Sequence, residues 1–78
     1  MNMDSFFSMS GWAVEGCRLA ADQGLSEAQY NLGWAHASGG GVPQDYVEAV
    51  KWFRLAADQG DSQAHKCLLV LEVLTDSL

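Results

Sequence analysis

Seven consecutive residues, Arg18-Leu19-Ala20-Ala21-Asp22-Gln23-Gly24, return unchanged as Arg54-Leu55-Ala56-Ala57-Asp58-Gln59-Gly60, an offset of 36 residues. The same register sets Ala13 over Ala49, Val14 over Val50, Ser26 over Ser62, Ala28 over Ala64 and Leu32 over Leu68. A period between about 20 and 50 residues marks units that cannot bury their apolar face alone and must stack on one another, so the repeat predicts a solenoid rather than a single closed globule.

Within each period the apolar residues recur at helical spacing. Trp12, Ala13, Cys17, Ala20 and Ala21 fall on one side of a helix expected from about Met9 to Gln23, with Gly11 and Gly16 as its weak points. Gly24 supplies a left-handed stop. A second helix is expected from Leu25 or Ser26, with the serine as N-cap, to about Ser38. It carries one stripe of Ala28, Leu32 and Ala35 beside Gly33, and another of Tyr30, Trp34 and Ala37. The Gly39-Gly40-Gly41 loop ends it. Asp45 and Glu48 have capping-box spacing and open a third helix, whose Ala49, Trp52, Phe53, Ala56 and Ala57 give the strongest helical pattern in the chain. Gly60 stops that helix, and Asp61 caps a fourth bearing Ala64, Leu68, Val70, Leu71 and Leu74. Asp22 and Asp58 lie in last turns, where the helix dipole disfavours negative charge, which points to a contact with the following helix.

A chain of 78 residues buries only roughly 60–65% of its unfolded surface. Cys17 and Cys67 hold different register positions on helices that do not adjoin, so they read as reduced core thiols rather than a disulfide. Residues 1–9 have no basic start and too short an apolar run for export or for spanning a bilayer, which makes the cytoplasm the default. Ten acidic against four basic residues give a net charge of −6. That balance argues against nucleic acid and anionic lipid as partners and leaves a basic protein surface open.

The order Ala28-x-x-x-Leu32-Gly33, then Gly39-x-Gly41-Val42-x-x-Asp45, then Ala49-x-x-Trp52-Phe53-x-x-Ala56-Ala57-x-x-Gly60, closed by Ala64, resembles a Sel-one-like repeat, a helical-hairpin unit related to the tetratricopeptide repeat. The resemblance is full over residues 25–60 and partial on both flanks. It implies an all-α fold: a short α-solenoid of antiparallel A and B helices in a right-handed superhelix, with A helices lining the concave side. The four helices would then run B-A-B-A. The expected divisions are a tail at residues 1–8, a partial repeat at 9–24, the complete repeat at 25–60 and a capping helix at 61–78. Three positions depart from the family pattern: His36 stands where the family usually has Tyr, Gly16 where the complete unit has Trp52, and Leu69 where it has Gly33. The leucine, with no following glycine loop, suggests a terminal cap. At the other end the Trp12 side of the first helix needs cover, either from a second copy, making a homodimer through the N-terminal end, or from Phe6, Phe7 and Met9 folded back as a lid.

No catalytic constellation emerges, and no cofactor is implied. His36, His65, Cys17 and Cys67 show none of the close spacings of a zinc site, so no metal is expected. His36 reads as a core or edge residue, and no strand-turn-helix elbow presents a serine. The glycine loop lacks the Lys-Ser/Thr ending of a phosphate loop and reads as a connector. What remains is a surface for another protein. If the A helices line the concave side, the partner-binding residues are Glu27, Tyr30, Trp34 and Ala37, then Gln63, Lys66 and Val70, with Tyr30 and Trp34 as rigid anchors. Trp34 can equally pack on the adjacent A helix near Val70. The function expected is non-catalytic recognition of a protein or peptide. The alternative is a structural unit that self-associates through the ends of its stack.

Overall fold

The computed structural model describes the backbone of residues 11–76 and the side chains of residues 14–76. Among the described residues there are four helices and no strand: α1 (Gly11–Asp22), α2 (Ser26–Ser38), α3 (Tyr46–Asp58) and α4 (Ser62–Asp76). The helix start expected at Met9 and the lid of Phe6, Phe7 and Met9 lie outside them, as does the side chain of Trp12.

Each helix packs on the next in sequence. Between α2 and α3, residue 36 bonds to residue 45, 33 meets 53, and 29 bonds to 59, so the two run antiparallel. Between α1 and α2, residue 17 bonds to 28 and residue 21 to 29. The chain is therefore an all-α solenoid of helical hairpins in B-A-B-A order. The identical Gly24 and Gly60 make the two B-to-A turns, at φ 95° and 96°, where an L side chain is strained.

The core consists of two clusters that share α3. Ala21, Ala28, Leu32 and Trp52 join α1, α2 and α3. Ala49, Phe53, Ala56, Ala64, Leu68 and Leu71 join α3 to α4, with Tyr30, Trp34 and Ala37 of α2 packed against them. Trp52 and Phe53 are adjacent in sequence and so about 100° apart around the helix, which sends one ring into each cluster. Around the rings the buried positions are mostly alanine, which lets the helix backbones come close. At Gly33 the approach is closest: a Cβ there would sit 2.8 Å from two carbons of the Phe53 ring.

The helix starts differ in detail from expectation. Asp45 caps α3 by accepting from the backbone N–H of Val47 (3.0 Å) and Glu48 (3.2 Å). The reciprocal half of the capping box does not form, because the Asp45 N–H donates to the His36 carbonyl (2.8 Å) and Glu48 pairs with Lys51 instead. Asp61 caps α4 through the Ala64 N–H. Ser26 is not a cap: it is the first residue of α2, and the capping position belongs to Leu25, which has no side-chain acceptor to offer. The contact expected from Asp22 and Asp58 to the following helix is also not made among the described residues; Arg54 reaches across to Glu72 of α4 (3.9 Å) instead.

Two glycines in the same structural context are expected to respond oppositely to alanine. Gly33→Ala forces the Phe53 ring aside, and overpacking of about 1–3 kcal/mol outweighs a helix-propensity gain of up to about 1 kcal/mol. Gly16→Ala meets nothing within 4 Å and keeps only the gain. Thermal unfolding followed by circular dichroism should show Tm falling for the first and rising for the second, each by several degrees.

Candidate interaction surface

Beyond the two clusters, α2 and α4 turn their remaining side chains outward. Of the seven residues expected to bind, Glu27, Gln63, Lys66 and Val70 are exposed, while Tyr30, Trp34 and Ala37 are half-buried against the α3–α4 core. The Tyr30 ring lies 5.7 Å from that of Phe53 at 57°, and Trp34 meets the same ring edge-on at 6.0 Å and 84°. Such tilted and T-shaped pairs add about 0.5–1.5 kcal/mol each beyond area burial. Tyr30 also hydrogen-bonds Cys67, which links α2 to α4 directly. The indole of Trp34 is thus built into the packing of its neighbours, and the residues with most of their surface in water are Glu27, Gln63 and Lys66 together with the apolar Val70.

The turn side of the molecule holds a buried polar link. Gln29 is almost fully buried, donates its Nε2 to the Ala21 carbonyl at the end of α1 (3.1 Å), and accepts at Oε1 from Gln59 Nε2 at the end of α3 (2.9 Å). One side chain of α2 therefore ties the C-terminal ends of both B helices. Nothing in the repeat pattern marks it, because the register partner of Gln29 is His65, which is exposed.

Both thiols are free. Burial raises the Cys17 pKa, and its Sγ–H donates to the Ala28 carbonyl (3.2 Å). Burial likewise raises Cys67, with the Asp61 carboxylate adding to the rise and the bond from Tyr30 opposing it. A thiol with a raised pKa is scarce as thiolate at neutral pH and is a poor nucleophile there. His36 is buried, as a core residue, and neither ring nitrogen has a hydrogen-bond partner among the described residues. Among those residues no group of three or more His, Cys, Asp or Glu side chains could hold a metal ion, and no helix is long and apolar enough to cross a membrane.

Comparison with known proteins matches the middle of the chain to a repeat family. Residues 26–61 match the family model of the Sel1 repeat, which covers all of α2 and α3 and the turn after them. The chitin synthase regulator SKT5 of Malassezia restricta is 39% identical over 58 residues. That match takes 74% of this chain and spans only 4% of the relative's length. No solved structure matches the chain.

Two measurements test this geometry. Gln59→Ala leaves the buried Oε1 of Gln29 without its partner and is expected to cost about 1–3 kcal/mol, against about 0.5–1.5 kcal/mol for the hydrogen bonds lost in Gln29→Ala, after which the Ala21 carbonyl keeps the Gly24 N–H and Gln59 turns to water; urea unfolding of both would rank them. Alkylation of the native thiols by iodoacetamide should be slow at pH 7. It should go on accelerating above pH of about 8.5, where an ordinary thiol is already half ionised, and unfolding in urea should remove the lag.

Proposed function

Because the chain is a Sel1-repeat protein, we propose that it acts without catalysis, as a module that binds a partner protein or peptide through the outward face of its A helices. Sel1 repeats are units of protein–protein interaction, so the class of function follows from the family; the face, the partner and the mode are the proposal. The observation that carries it is the division of labour on α2 and α4. Tyr30, Trp34 and Ala37 brace the two A helices on the Phe53 core, and Glu27, Gln63, Lys66 and Val70 stand out from that brace into solvent. Side chains presented by packed helices lose less freedom on binding than the same side chains on a loop, so more of each contact survives as affinity.

The partner is basic in this reading. A net charge of −6 on a chain of 78 residues attracts a positive surface and repels phosphate and anionic lipid. The name of the Malassezia restricta relative, a regulator of chitin synthase, is that of a protein that works on an enzyme, which fits a module acting through another protein.

The test is affinity capture from the native cell with two baits, the wild-type chain and one carrying Glu27→Ala, Gln63→Ala and Lys66→Ala together. All three side chains are exposed, so helicity and Tm should stay unchanged while affinity for the captured partner falls at least about tenfold, equivalent to about 1.4 kcal/mol. Binding should also weaken as salt is raised. A partner that is held equally by both baits would move the contact away from this face.

A further inference from the structure

We draw no further inference here: the strongest candidate, the exposed apolar side chains on the outer side of the B helices, Leu19 of α1 with Val47 and Leu55 of α3, carries nothing, because nothing in the structure shows what covers them.

Discussion

The contact on which the rest of the structure depends is the flat ring of Phe53 lying on the bare backbone of Gly33. It fixes how near α2 and α3 come and therefore where every other side chain between them can go. With α3 drawn in that far, its neighbouring indole, Trp52, is directed to the opposite side and reaches Ala21, Ala28 and Leu32. The consequence is a central helix with one aromatic ring in each of two clusters. Alanine is then required at positions such as Ala49, Ala56 and Ala64, all of them fully buried, because a longer side chain would hold the helices apart and lift both rings out of contact. Burying a ring of this size is worth about 1.5–3 kcal/mol, which makes Trp52 and Phe53 a large share of what a domain of this size can gather.

Much of this was legible in the sequence because the repeat prints each interface twice. The helices, their order, the left-handed glycines and the buried alanines all follow from the 36-residue register and the helical spacing. The features that escaped are those for which periodicity names a face without naming the neighbour that covers it. Tyr30, Trp34 and Ala37 stand on a stripe of their own on α2, and spacing alone does not say that Phe53 takes up that side. Gln29 belongs to neither apolar stripe of α2; its burial depends on where the ends of α1 and α3 converge, which is a tertiary fact. The same convergence explains how α2 holds without a side-chain cap at Leu25. Ser26, Glu48 and the pair Asp22 and Asp58 do not make their expected bonds for a related reason: a cap or a contact with the following helix can be lost to a backbone group or a side chain from elsewhere. Asp45 gives its N–H to His36 and Arg54 its guanidinium to Glu72.

The physical economy of the fold bears on what it can do. The two clusters take up Leu32, Trp52 and Phe53 and the side of α2 that carries Tyr30 and Trp34, which leaves an exterior on the A helices that is polar at Glu27, Gln63 and Lys66 and apolar along α4. A surface of that kind suits recognition, where specificity lies in charge and hydrogen bonding at the rim of a rigid frame. The thiols are pushed toward their neutral form by burial, and His36 is buried with neither ring nitrogen hydrogen-bonded among the described residues. The acidic balance gives the module a negative field, which favours the approach of positive surfaces over negative ones.

Departures from internal symmetry carry as much information as the symmetry itself. A residue that differs between register positions can be a packing adjustment: Glu72, which pairs with Arg54 at the surface, has the buried His36 as its register counterpart on α2. A residue that differs because its neighbour differs is a different matter. Gly33 is glycine because Phe53 is there, whereas Leu69 at the equivalent place of α4 stands half in solvent. Trp52 is large because it fills the space between α1 and α2, whereas Gly16 at the equivalent place of α1 is exposed, so the repeat keeps its bulk where two helices meet around a ring.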